Sequence, residues 1–375
     1  MKKYLKKYIT EISCILFIFT ISIINLYKAR YLDIKYTSYF NKQIIWIIIS
    51  FIFLFIVQKI KFKIIYKCRY HLYFISIILL FYVLIFSKEI NHAKAWINIF
   101  GFTFQPSELL KFIFPIVGIS LVTNKKYIMY TLIFIIPFIL IFLEPDSGNS
   151  LLLFIIFIYL LINKNNKKFF IYLLISVIIL TIIIITLFKY KSSIFLTFFN
   201  GKLYYRFNRI LNLSNNYQIE NALISIGSSK LFPIRLSKII IYIPEGITDF
   251  MLAFSFGNLG LIINILLILS YFIFIYKIIN NMKQVRCKYH KKLYGSFIVI
   301  FTYQSIYNIL MNLGLVPIMG IPLPFFSYGG SNVITYMIFF SLITKKISSI
   351  EDKDNNNYKN NFHMDLVDNN FVDMD

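Results

Sequence analysis

Residues 128–163 read IMYTLIFIIPFILIFLEPDSGNSLLLFIIFIYLLIN, two apolar runs (128–144 and 148–163) joined by one tight turn, with no Lys or Arg between them. A helix crossing the bilayer core needs about 20 mostly apolar residues, within a range of about 17–25. With a few flanking residues each run is long enough. Hydrocarbon cannot satisfy open backbone groups, and the pattern has none of the alternation of a barrel strand, so both runs are predicted to be spanning helices.

Working outward, similar runs lie at 11–27, 43–58, 70–87, 105–122, 168–188, 250–276, 293–313 and 331–344. The chain is therefore predicted to be an all-α polytopic membrane protein of about ten transmembrane helices, with a large extracytoplasmic loop, 189–249, between spans seven and eight. Composition agrees: 58% of the 375 residues are hydrophobic and 15% charged, with mean hydropathy +0.72, where soluble domains carry roughly 25% charged residues. No composition shift divides the chain before its tail. Residues 1–350 are expected to form one membrane domain, and the Asn/Asp-rich 351–375 a disordered cytosolic tail.

The net charge of +23 does not point to nucleic acid, because the basic residues cluster in short segments between apolar runs. Segments 1–10, 59–69, 123–127, 164–168, 277–292 and the start of the tail hold 22 Lys and Arg, against 6 in 28–42, 88–104, 145–147 and 314–330. Basic residues concentrate on the cytoplasmic side, which places both termini in the cytosol. The basic Met1–Lys7 segment before the first run reads as an uncleaved signal anchor. Cys14, Cys68 and Cys287 show neither metal-ligand spacing nor a disulfide framework and are expected to be isolated thiols.

Four stretches depart from generic connectors. In Trp96 to Lys111, Gln105-Pro106-Ser107-Glu108 reads as a helix start, with Pro in the first turn and Glu at the positive dipole end. Glu108 and Lys111 then share a helix face. They are either a capping Glu with a snorkelling Lys, or a buried ion pair or aqueous cavity. Glu144-Pro145-Asp146-Ser147-Gly148 is a turn with two carboxylates, in which Asp is ordinary by itself. Pro244-Glu245-Gly-Ile-Thr248-Asp249-Phe250 leads into the eighth run, and Asp249 there suits a helix cap or a catalytic acid equally. Asn312 to Asn332 repeats Gly and Pro at membrane depth, which survives only when buried in protein or lining a cavity. Its Ser327-Tyr-Gly329-Gly330-Ser331 ends at a new helix start, where free N–H groups suit an anion; a re-entrant loop of a channel would look similar.

Taken in order and spacing, these stretches resemble the SEDS family (shape, elongation, division and sporulation) of cell-wall proteins. Lys94-Ala-Trp96 through Lys111 is similar to its Trp and Gln-Pro-Ser-Glu segment, and Glu144-Pro-Asp146-Ser-Gly148 to its Gln-Pro-Asp-x-Gly turn. Tyr205-Arg206-Phe-Asn-Arg209 resembles its Arg-rich segment, Pro244 to Phe250 its Pro-Glu-x-x-Thr-Asp-Phe, and Gly320 to Ser331 its Gly-Ile-Pro-Leu-Pro and Ser-Tyr-Gly-Gly-Ser signature. Two departures stand out: Gly257-Asn258-Leu259-Gly260 replaces the usual Glu-Glu-Leu-Gly, and Ser229 to Pro233 lacks a Gly-rich stretch.

The resemblance implies a peptidoglycan glycosyltransferase in the bacterial cytoplasmic membrane. It would join lipid II units onto an undecaprenyl-linked glycan at the outer face, beside a class B penicillin-binding transpeptidase. It also implies Asp249 as the catalytic acid, with Glu108 and Lys111 as functional residues of the fourth span. A sugar hydroxyl attacks an anomeric carbon as undecaprenyl pyrophosphate leaves. The hydroxyl needs a carboxylate base and the diphosphate needs cations aimed at it. Lys111, Arg206 and Arg209 suit that second role, with a divalent Mg or Mn ion as a further source of charge. Trp96, Asp146, Ser327, Gly329, Gly330 and Ser331 complete the expected substrate-binding set. The rival readings are a transporter or flippase for a lipid-linked precursor, built on the same broken helices, and a scaffold that activates a transpeptidase.

Overall fold

The structure is a computed structural model that describes residues 7–32, 35–87, 94–99, 102–162, 217–232 and 242–345. Among them, α1 (Ile9–Ala29), α2 (Lys35–Lys59), a short α3 (Phe62–Lys67) and α4 (Arg69–Phe86) come first. A hairpin of β1 (Ile97–Ile99) and β2 (Phe102–Phe104) leads into α5 (Pro106–Thr123), α6 (Tyr127–Leu143) and α7 (Ser147–Leu161). After 162 follow α8 (Tyr217–Gly227), α9 (Met251–Leu259), α10 (Leu261–Lys283), α11 (Lys288–Asn312) and α12 (Gly330–Thr344). Six of these helices, α1, α2, α4, α5, α10 and α11, are long and apolar enough to cross a membrane, and α6, α7 and α12 are shorter apolar helices. The predicted seventh span, the greater part of the 189–249 loop and the tail lie outside the described residues.

Among the described residues, the outer helices are recognisable from their exposed apolar side chains. α4 exposes Phe74, Ile78, Phe81 and Ile85, and α10 exposes Ile265, Leu269, Phe272 and Tyr276. These repeat every three or four residues, the stripe a helix offers to lipid. α5 is the opposite case, buried on nearly every side and packed by α4, α6, α7, α11 and α12. α12 lies against α2 and α5. The site's residues therefore hang on the innermost helices.

Two expectations need correction. The predicted eighth run, 250–276, is not continuous: it breaks between α9 and α10 at Gly260, whose φ of +82° is open to glycine but strained for other residues. Continuous hydropathy hid the break because both pieces are apolar. The all-α expectation also leaves out a short hairpin before α5, in which β1 and β2 pair antiparallel with Ile97 opposite Phe104. Thr103 in that hairpin is flanked by Phe102 and Phe104, and Phe102 meets Trp46 of α2 edge-on at 5.1 Å.

Candidate active site

α5 begins as its sequence predicts, with Pro106 in the first turn and Glu108 just behind it. Glu108 and Lys111 form a buried ion pair, Nζ to Oε1 2.7 Å, exposed by only 1% and 3%. The snorkelling alternative is not what is seen. Lys111 also donates to Gln304 Oε1 at 3.1 Å and lies 5.5 Å from the centre of the Tyr336 ring. The other oxygen of Glu108 accepts from Asn332 Nδ2 at 3.2 Å. Side chains of α5, α11 and α12 thus satisfy the pair, the arrangement a buried ion pair requires.

Asp146 caps α7, Oδ1 accepting the Asn149 N–H at 3.0 Å. Its Oδ2 accepts from Gln105 Nε2 (2.7 Å), Ser107 Oγ (3.0 Å) and Asn149 Nδ2 (2.7 Å). The same turn abuts the broken segment: a Cβ on Gly148 would stand 2.7 Å from Met319 O. Helix α6 closes at Leu143, one residue short of the predicted run, leaving Glu144 in the turn. Glu144 is fully buried, and among the described residues neither carboxylate oxygen has a hydrogen-bond partner. Burial, and then the neighbouring Asp146 carboxylate, push its carboxyl up to about 9.

The segment from Leu313 to Gly329 is non-helical, and its part from Ile321 to Ser327 is largely buried, as Gly and Pro at this depth demand. Ser327 turns inward, its Oγ accepting the Leu323 N–H at 2.9 Å. Ser331 Oγ accepts the Gln105 N–H at 2.9 Å. Gly329 N–H donates to Gln43 Oε1 at 3.3 Å, and the indole of Trp46 lies against Gly330. This start of α12 is thus sealed by protein on the Trp46 side. Trp96 is half-buried at the entry to β1.

Asp249 sits elsewhere in this assembly. The residue before α9 is Phe250, with no side-chain cap, so neither Thr248 nor Asp249 caps that helix. Asp249 is half-exposed. Its carboxylate faces the broken segment, Oδ2 lying 3.7 Å from where a Cβ at Gly320 would stand. Its backbone carbonyl accepts from Asn308 Nδ2 (2.8 Å) and Asn312 Nδ2 (3.1 Å). Tyr328 N–H reaches Ile247 O at 2.9 Å, tying the same turn to the end of the broken segment. Arg206 and Arg209 lie outside the described residues.

The structure therefore gathers Gln105, Ser107, Glu108, Lys111, Asp146, Gly148, Asp249 and 319–331 around one broken segment. Sequence reasoning missed Gln304, Asn308 and Tyr336, which connect them. The available signal was a run of carboxamides, Gln304, Asn308 and Asn312, inside an apolar span, where polar groups demand partners. The departure at Gly257-Asn258 also gains a reason. Gly257 faces Ser225 of α8, whose Oγ donates to Ala253 O at 2.8 Å, and any Cβ at 257 would strike that hydroxyl. Lys28 of α1 donates to Asn258 O at 2.5 Å, closing the carbonyl end of α9.

A family model described as "Cell cycle protein", for FtsW, RodA and SpoVE, matches residues 5–352. The chain belongs to the FtsW/RodA/SpoVE family. Among its relatives, a probable peptidoglycan glycosyltransferase FtsW of Acinetobacter baylyi is 27% identical, covering 89% of this chain and 86% of the relative. A peptidoglycan glycosyltransferase MrdB of Helicobacter pylori is 38% identical over 34% of this chain and 35% of its own length. Of solved structures, a chain from a peptidoglycan synthase complex matches with TM-score 0.71 at 19% identity, covering 89% of this chain and 95% of that one. A variant of the rod shape determining protein RodA of Thermus thermophilus matches with TM-score 0.65 at 19% identity and the same coverage. The chain is a helical multi-pass membrane protein with their fold.

Proposed function

We propose that the protein is a peptidoglycan glycosyltransferase that polymerises lipid II at the outer face of the bacterial cytoplasmic membrane, with Asp249 as general base. One observation carries the assignment of roles. Of the carboxylates that the sequence singled out around the broken segment, Glu108 is buried in an ion pair and Asp146 accepts four protein donors, while Asp249 is partly exposed with its carboxylate toward Gly320. A general base must reach the hydroxyl proton it removes, which favours the partly exposed Asp249 over the buried Glu108.

In this reading the acceptor hydroxyl gives its proton to Asp249 while its oxygen attacks the anomeric carbon, and the bond to the undecaprenyl diphosphate breaks. Arg206 and Arg209, from the Arg-rich segment, are the positive charges assigned to the leaving group. Lys111 acts from behind the broken segment, where its ammonium is committed to Glu108 and Gln304. Trp96, Ser327, Gly329, Gly330 and Ser331 shape and hold the walls of the site. Among the described residues no three His, Cys, Asp or Glu side chains come together, so these residues do not form a cage for Mg or Mn. Ten spans, the 189–249 loop on the outside, both termini and the tail in the cytosol, and a class B penicillin-binding protein as partner complete the reading; the basic-residue asymmetry and the family's fold support it.

The test is to supply the purified protein in vesicles with labelled lipid II. Polymer of increasing length is the expected product. Transbilayer movement of lipid II without polymer would turn the reading to a flippase. Neither product with or without a transpeptidase partner would leave a scaffold.

A further inference from the structure

α11 presents Gln304, Asn308 and Asn312 at i, i+4 and i+8, close to one helix face, and all three are fully buried. A buried Asn in an apolar helix usually satisfies itself on the carbonyl one turn back. Asn258 and Asn264 do this, donating to Phe254 O and Gly260 O at 2.9 and 2.7 Å. Asn308 does not. Its amide donates to two carbonyls in two other segments, Asp249 O and Ile321 O, each at 2.8 Å.

Those carbonyls flank the place where the Asp249 carboxylate approaches Gly320, whose φ of +66° is a glycine conformation. Asn312 reinforces one side, donating to Asp249 O and accepting the Ala253 N–H at 2.9 Å. Gln304 holds the other side, donating to Pro322 O at 2.7 Å, while its Oε1 accepts from Lys111 and from Tyr336 OH. One row of carboxamides thus runs from the buried ion pair to the carboxylate.

We propose that Asn308 is a positioning residue for Asp249, fixing the spacing between the Asp249 turn and the Gly320–Ile321 segment. The inference rests on the reading of Asp249 as general base. Misplacing a reacting group by about 1 Å costs up to about 100-fold in rate. A group that only orients the base changes the chemical step and not the binding of substrate.

The experiment uses the full chain in vesicles with lipid II, measuring kcat and KM beside the unfolding midpoint. Asn308→Ala is expected to lower kcat by about 10- to 100-fold with KM within about twofold. Asn264→Ala, which removes an equally buried Asn bonded only to its own helix, should leave both constants unchanged. If Asn308→Ala does not fold, Asn312→Ala, which removes the other donor to the same carbonyl, carries the same kcat-selective expectation. A folded Asn308→Ala with unchanged kcat, or a loss carried by KM alone, overturns the proposal. A fully active Asp249→Ala overturns the reading beneath it instead.

Discussion

The Glu108–Lys111 pair and Asp249 are both acidic sites beside one broken segment, yet they are built in opposite ways. The pair is closed off, with Gln304 and Asn332 sharing the protein's own hydrogen bonds. Asp249 is fastened by its backbone and its side chain is partly exposed. Charges buried in protein are held because breaking them is costly, whereas a base needs its lone pairs accessible. On the proposed reading, the comparison separates residues that make the site from the one that acts in it.

Breaking the closed side gives the largest expected effect on stability. Lys111→Met leaves Glu108 buried and uncompensated, and should destabilise by about 3–5 kcal/mol. Adding Glu108→Gln to it removes both charges and should recover most of that loss, read by denaturant or thermal unfolding in detergent. Recovery absent from the double variant would mean the ammonium matters for more than its partner.

Gly148→Ala is next, because a Cβ there meets the Met319 backbone carbonyl, which cannot swing aside, as well as the Ile321 side chain. It should cost about 1–3 kcal/mol as overpacking, and lower expression of folded protein is the simplest readout. Ser107→Ala removes one of four donors to Asp146 and should cost about 1 kcal/mol.

Glu144 carries an effect of the opposite sign. Its folded-state carboxyl is raised to about 9 from an ordinary 4.5. The native state therefore binds a proton the unfolded chain releases, and stability falls as pH rises between those values. Glu144→Gln removes that dependence, so the variant should unfold a few degrees higher near pH 8 and show little gain near pH 4.5. An equal shift at both pH values would mean that ionisation is not involved.

Much of this was legible in the chain. Runs such as 128–144 and 148–163 declared helices because lipid leaves the backbone no other choice, and α6 and α7 end within two residues of them. Pro106 and Glu108 marked the start of α5 because cap chemistry is local. The break at Gly260 was not legible, since a single glycine between two apolar segments leaves hydropathy unchanged. Nor was the β1–β2 hairpin, too short to show a period. At the site, Glu108, Asp146 and Asp249 stood out as carboxylates, but their division of labour depends on Gln304, Asn308 and Asn312. Those contacts join residues 59 or more positions apart for Asp249 and 193 apart for Lys111, and no local pattern encodes them.

The central claim is that Asp249 does the chemistry while Glu108 and Asp146 hold the frame. Its most direct test is glycan polymerisation from lipid II by Asp249→Ala and by the Glu108→Gln/Lys111→Met pair, at matched amounts of folded protein. The account predicts no polymer from Asp249→Ala with an unfolding midpoint close to that of the parent chain, and residual polymer from the charge-free pair. Chains of normal length made by Asp249→Ala would contradict it.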